Sequence, residues 1–284
     1  MPRRRRAERD PLGRAADAGA LAHYEDPAYY DKAYGARRKD VDWYVRLAQR
    51  KGGPVLEYGV GNGRIAIAMA RAGIEVVGVD LSRPMLRSLR ERLQREPRDV
   101  RGRVRAVWGD MRSVRLRGRF PLVIAAFNTL LHLYERDDFE RFFAAVGRHL
   151  ARGGRFVFDI SVPQPADLGR DPERRLGAPR FRHPASGAIV RYAERFSYDP
   201  LRQVLLVTMD FTPENGGKPW TVPLTHRQIF PQELAALLHY NGFRIERVLE
   251  DFDEHPPSRD VDSLVVVCSA LPRRAGLAQR ARQS

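Results

Sequence analysis

Three carboxylates and three glycines fall at spacings that could serve one ligand. Glu57 precedes Gly59-Val60-Gly61-Asn62-Gly63, Asp80 lies 17 residues beyond Gly63, and Asp110 sits in Trp108-Gly109-Asp110-Met111. Glycines in such a turn let the main chain approach a ligand without an intervening Cβ. A GxGxxG dinucleotide loop would need glycine at position 64, where the chain has Arg64. An acid at position 57 would repel a pyrophosphate but can accept hydrogen bonds from an ammonium group. Asp80 suits the two hydroxyls of a ribose, Asp110 an adenine amino group, and Met111 the face of the ring. The set describes a cationic, phosphate-free nucleoside ligand.

Such a site needs strand ends to carry the acids. Alternating apolar runs and helical periodicities predict strands at Pro54 to Tyr58, Ile74 to Val79, Val104 to Trp108, Phe120 to Phe127 and Arg155 to Ile160. Helices are predicted between them at Arg64 to Ala72, Arg83 to Arg95 and Asp137 to Leu150, with one or two more before Pro54. Strands alternating with helices argue a parallel, doubly wound α/β sheet, whose ligands sit at the carboxyl ends of the strands. Residues 161–187 break the rhythm with Pro, Gly and Arg. Three runs of two-residue alternation follow over 188–230, an inserted antiparallel meander. A helix at Pro231 to Tyr240 and strands at Phe243 to Leu249 and Ser263 to Ala270 complete the core. The expected division is 1–22 as a basic tail, 23–160 as N-terminal helices and ligand-binding core, 161–230 as linker and meander, 231–271 as the rest of the core, and 272–284 as a second tail.

Composition narrows the classes. No run of about 18 apolar residues exists, which excludes a membrane helix, and no apolar segment follows Arg3 to Arg6, so a cytoplasmic protein is expected. The single cysteine, Cys268, lies in an apolar strand, ruling out a disulfide or zinc cluster, and no metal is expected. The net charge of +15 invites a nucleic-acid partner. About half of the surplus, however, falls in residues 1–14 and 271–284, and only 4 of the 50 basic residues are lysines, a skew typical of GC-rich coding. Nucleic acid is disfavoured on that account, with the basic ends keeping it as an alternative.

Taken together, Glu57-x-Gly-x-Gly-x-Gly, Val79-Asp80-Leu81-Ser82, Gly109-Asp110-Met111, Phe127-Asn128-Thr129-Leu130, His149-Leu150-x-x-Gly153-Gly154 and Glu233-Leu234…Gly242-Phe243 resemble the class I methyltransferases over Tyr24 to Ala270. Tyr30-Asp31-x-x-Tyr34 and the insertion are most similar to the small-molecule branch, with its sugar N,N-dimethyltransferases and glycine N-methyltransferase-like enzymes. The resemblance implies a Rossmann-like seven-stranded sheet of order 3-2-1-4-5-7-6 with the last strand antiparallel, the meander on the substrate side, and S-adenosyl-L-methionine as cofactor. It implies a cofactor site of Tyr30, Arg38, Glu57, Gly59, Gly61, Gly63, Asp80, Leu81, Met85, Asp110, Met111 and Phe127, with an N-terminal tyrosine closing over the ligand.

The expected activity is transfer of a methyl group to an amine or oxygen of a small-molecule acceptor (EC 2.1.1.-) by in-line displacement, in which the protein mainly aligns the nucleophile and excludes water. His132 and His226 are the candidate catalytic groups, and Asn128, His132 and Arg227 the candidate substrate contacts. By strand alternation only one of His226 and Arg227 can face the cleft. An RNA or protein methyltransferase and a non-catalytic S-adenosylmethionine-binding subunit are the alternatives, and a homodimer is among the assemblies open to such a chain. Removing residues 1–20 is expected to leave cofactor binding intact.

Overall fold

The computed structural model describes residues 19–272. Of the expected tails, 1–22 and 272–284, residues 1–18 and 273–284 lie outside the described residues. A helical turn over 19–22 leads into α1 (Pro27–Tyr34) and α2 (Lys39–Lys51). Asp26 starts α1 by accepting the Tyr29 N–H at 2.9 Å, and Pro27 fits the first turn, where no N–H is needed.

The core alternates β1 (Val55–Tyr58), α3 (Arg64–Arg71), β2 (Val76–Asp80), α4 (Arg83–Gln94), the short α5 (Arg98–Gly102), β3 (Val104–Trp108), β4 (Phe120–Ala125), a 3-10 turn (Thr129–His132), α6 (Arg136–His149) and β5 (Leu150–Ser161). It resumes after the insertion with α8 (Pro231–Tyr240), β10 (Phe243–Glu250) and β11 (Ser263–Ala270). The sheet order is β10-β11-β5-β4-β1-β2-β3, the 3-2-1-4-5-7-6 arrangement, and β11 runs antiparallel to both neighbours. Residues of β1 alternate between the two faces. Leu56 and Tyr58 pack with α6, while Val55 packs with α2 and α3.

The insertion, entered through α7 (Pro165–Leu168), forms a separate antiparallel sheet ordered β6 (Leu176–Arg182), β7 (Ile189–Asp199), β8 (Val204–Pro213) and β9 (Trp220–Arg227). Four strands stand where three were expected. Residues 176–182 contain Gly177 and Pro179 and lack alternation, yet they form an edge strand because β7 supplies the ladder partners. One face of this sheet, with Val190, Met209, Phe211 and Leu224, buries Tyr29 of α1 and so ties the insertion to the N-terminal helix. The turn at 19–22 also belongs to the folded body rather than to a tail: a Cβ on Gly19 would strike Thr225 of β9. Among the described residues no helix is long and apolar enough to cross a membrane.

Candidate functional site

Two cavities adjoin at the carboxyl ends of β1, β2, β3 and β4. The first, of about 370 Å³, is floored by the loop after β1 and walled by the ends of β2 and β3. Gly59 has φ of 69°, and a Cβ there would run into Thr129 Oγ1. Gly63, at φ 82°, heads α3 against Leu89, outside the cavity wall. Both positions therefore exclude side chains, for conformation and for space.

Asp80 reaches this cavity from the end of β2. Its Oδ2 accepts the Gly61 N–H at 2.7 Å and its Oδ1 accepts the Ser82 N–H at 2.8 Å, so one carboxylate braces the glycine loop and starts the turn into α4. Burial pushes its pKa up against those two bonds. Each oxygen keeps lone-pair capacity for a ligand hydroxyl. Leu81, Met85 and Met111 supply apolar wall.

Asp110 lines the far end, held in the fork of Arg112, with Nη2 to Oδ2 at 2.7 Å and Nε to Oδ1 at 2.9 Å. Burial works against its charge, but Arg112 keeps its pKa below the usual value. Arg112 also donates to Asp138 at 2.6 Å, so this cation is neutralised by two acids. Sequence spacing did not anticipate a basic residue in the wall.

Glu57 is 2% exposed and does not itself line the cavity; it lies two residues before Gly59, on the α2 and α3 side of β1. Its Oε2 has no hydrogen-bond partner. Burial pushes its pKa up to about 8; Arg64 opposes the shift, while Asp80, Asp40 and Asp159 add to it. Arg64, at the position where a dinucleotide loop needs glycine, forms a buried pair with Asp40 that fastens α2 to the loop.

The second cavity, of about 420 Å³, shares Tyr24, Tyr30 and Phe127 with the first and is completed by residues of β5, β9 and the loop before β11. Phe127 and Asn128 have φ of 54° and 63°, a left-handed pair that few non-glycine residues adopt and that often marks a functional turn. Two neighbours hold it. Asp159 accepts the Phe127 N–H at 2.9 Å and the Tyr44 hydroxyl at 2.7 Å; Asn128 exchanges bonds with Ser161, Nδ2 to Oγ at 2.9 Å and the Ser161 N–H to Oδ1 at 2.7 Å. Burial pushes Asp159 up to about 6.

His132 closes the junction of the cavities. Its Nε2 lies 2.7 Å from Tyr24 Oη and its Nδ1 3.4 Å from Tyr134 Oη, the tautomer deciding which partner donates. Its ring lies 5.2 Å from that of His226, which lines the second cavity. Burial pushes His132 down to about 4 and His226 well below its usual value, so both imidazoles are neutral at pH 7.

Of the residues expected at the site, Tyr30 and Phe127 therefore face both cavities, and Asn128 and His226 face the second. Two are elsewhere. Arg38 is exposed ahead of α2, and its neighbour Arg37 lines the second cavity instead, 5.2 Å from the Phe127 ring. Arg227 points away from the cleft, 9% exposed, and donates to Glu233 at the start of α8 at 2.6 Å. Arg227→Ala should lower stability by about 1–3 kcal/mol, the cost of stranding a partly buried partner, and leave acceptor KM unchanged. Thermal unfolding and steady-state kinetics check this; a raised KM with normal stability would return the residue to the site.

Tyr24, His23, Arg37 and Arg112 were missed as site residues. The clustering of Tyr24, Tyr29, Tyr30 and Tyr34 was the available signal, but nothing local distinguishes those that face a cavity. Ala20 and Leu21 also line the first cavity, so a truncation meant to spare the cofactor must stop before residue 19. Among the described residues no group of three His, Cys, Asp or Glu is placed to hold a metal ion.

Residues 55–154 match the family model described as "Methyltransferase domain". A cypemycin N-terminal methyltransferase from Streptomyces sp. is 34% identical over 124 residues, 43% of this chain and 48% of that protein, so the match spans about half of that relative. The solved CcbJ methyltransferase from Streptomyces caelestis is similar over 87% of this chain and 100% of its own, at 27% identity and a TM-score of 0.71. A glycopeptide N-methyltransferase, MtfA, solved with S-adenosyl-L-homocysteine, matches over 89% and 96% at 25% identity and a TM-score of 0.58. A glycine cradle, strand-end acids and a buried unpartnered carboxylate oxygen suit the nucleoside and ammonium of such a cofactor, and the chain is similar to S-adenosylmethionine-dependent methyltransferases in fold and, over residues 55–154, in its methyltransferase domain.

Proposed function

We propose that the protein transfers a methyl group from S-adenosylmethionine to an amine of a small-molecule acceptor. The observation that carries this reading is the meeting of two cavities at Tyr24, Tyr30 and Phe127, one with nucleoside-binding acids and the other lined by aromatic and imidazole groups. The cofactor, when bound, supplies an electrophilic methyl group on a sulfonium.

The chain's own residues do the rest. Asp80 would hold the ribose hydroxyls, Met85 and Met111 would pack the adenine with Asp110 at its edge, and the unpartnered oxygen of Glu57, behind the cavity wall, would answer the ammonium. Tyr24, Tyr30 and Phe127 cover the junction and keep water from it. His132 fixes Tyr24 through their 2.7 Å bond, and His226 and Asn128 face the acceptor.

Neutral imidazoles at the junction favour nitrogen over oxygen. A neutral amine attacks with its own lone pair, whereas an alcohol needs a base to take its proton, and imidazoles shifted as low as His132 are poor bases. One relative is named as an N-methyltransferase and another as an N-terminal methyltransferase, which supports the same reading.

Incubation with methyl-labelled S-adenosylmethionine and separate pools of small amines, small alcohols and total RNA tests the reading. Label in the amine pool is expected. Label confined to alcohols would move the reaction to oxygen, label in RNA would sink the small-molecule reading, and label nowhere would favour a non-catalytic binding subunit.

A further inference from the structure

Among the described residues, the buried side-chain atoms without a hydrogen-bond partner are Glu57 Oε2 and both ring nitrogens of His23. Leaving a buried polar atom unpaired costs about 1–3 kcal/mol, so such atoms call for a reason. Glu57 has one in the cofactor. His23 is 2% exposed, belongs to the wall of the second cavity and is absent from that of the first. Four tyrosines enclose its ring edge-on: Tyr24 at 5.4 Å, Tyr34 at 5.6 Å, Tyr30 at 6.0 Å and Tyr29 at 6.1 Å between centroids. None of these contacts gives a ring nitrogen a partner. The box sets the ring's position, because aromatic edges on several sides leave an imidazole few rotamers. A fixed ring with unpaired nitrogens, on a cavity that adjoins the cofactor cavity, is a pre-built hydrogen-bond site. Burial holds its pKa down near 4, so at pH 7 one nitrogen is an acceptor and the other a donor.

We propose that His23 binds the acceptor in the second cavity, its unprotonated ring nitrogen taking a hydrogen bond from an N–H of the amine that receives the methyl group. This rests on the two-cavity reading above and adds the residue that orients the nucleophile. An amine held by one N–H has its lone pair directed elsewhere, and the adjoining cofactor cavity is where that lone pair must point. His23 therefore contributes to acceptor affinity and alignment and leaves the cofactor to the glycine loop and the acids.

The test compares the wild-type protein with His23→Phe, which keeps an aromatic ring in the box but has no ring nitrogen, and His23→Gln, whose amide oxygen can still accept. The probes are methyl 3-amino-3-deoxyglucoside, L-alanine amide and benzylamine, with methyl-labelled S-adenosylmethionine. For whichever probe the wild-type protein labels, His23→Phe should lower kcat/KM by about 10-fold or more, chiefly through KM, the scale of a hydrogen bond to a polar or charged group. His23→Gln should recover part of the loss. Calorimetry with S-adenosylhomocysteine should give affinities within about twofold for all three proteins.

A second measurement covers the case in which the variants do not fold: in wild-type protein loaded with S-adenosylhomocysteine, the labelled probe should shift the ring-nitrogen NMR signals of His23. Unchanged kcat/KM in folded His23→Phe, or unmoved His23 signals, overturns the assignment and leaves the proposed function standing. No labelled amine with the wild-type protein removes the proposed function and this inference with it.

Discussion

Replacing Asp80 with alanine should weaken S-adenosylmethionine binding by about 3–4 kcal/mol, a few hundred-fold in Kd. The expectation combines two losses. The carboxylate is placed for two ribose hydroxyls, and charge-assisted bonds of that kind are worth about 1.5–3 kcal/mol each, though not additively. It also braces the loop, since Gly61 donates to Oδ2 and Ser82 to Oδ1. Without it the glycine turn loses the tie that holds it open to the ligand. Asp80→Asn keeps one accepting oxygen and should lose about tenfold. Isothermal titration of both variants decides it: affinity within threefold of wild type for the alanine variant would mean that the ribose lies elsewhere.

Affinity for S-adenosylmethionine should rise with pH between about 5 and 7, by up to tenfold per unit. Without ligand, Glu57 holds its proton until about pH 8, because burial and the nearby acids disfavour its charge. The ligand ammonium needs the charged carboxylate and is itself protonated through that range. Binding must therefore expel a proton from Glu57, and that cost shrinks as pH rises. The same shift acts on folding with a defined sign. The carboxyl binds its proton in the folded state up to about 8 and in the unfolded state only up to about its ordinary value of 4.5. Between those limits the folded state holds more protons, so the unliganded protein loses stability as pH climbs through the window.

Glu57→Gln should flatten both dependences while weakening binding at pH 7.5 by about 1.5–3 kcal/mol. Calorimetry in buffers of different ionisation enthalpy counts the released proton directly. A pH-independent Kd in the wild-type protein, or the same slope in the variant, would show that Glu57 serves the fold and never meets the ammonium.

Much of this architecture is local in origin and so was legible. Val104 to Trp108, Pro231 to Tyr240 and Ser263 to Ala270 have the boundaries that apolar patterning gives them, and the acids fall at or just beyond strand ends, where periodicity puts them. The misses have a different cause. β6 pairs only because β7 is present. His226 and Arg227 alternate in any strand, but which one faces the cleft depends on how the insertion is docked. Arg37 takes the place expected of Arg38, and Arg112, already paired with its neighbour Asp110, reaches Asp138 of α6, a contact between separate elements.

Residue types and spacing by themselves determined the class of cofactor, because Glu57, the glycines and Asp80 lie within one β-α-β stretch whose geometry is set by short-range hydrogen bonding and pleat. Tertiary structure alone decided the second cavity and its junction with the first. His23 and Tyr24 near the N-terminus, His132 after β4, Asp159 in β5 and His226 in β9 share no local periodicity, and only the packing of the N-terminal segment between core and meander brings them together around the two cavities.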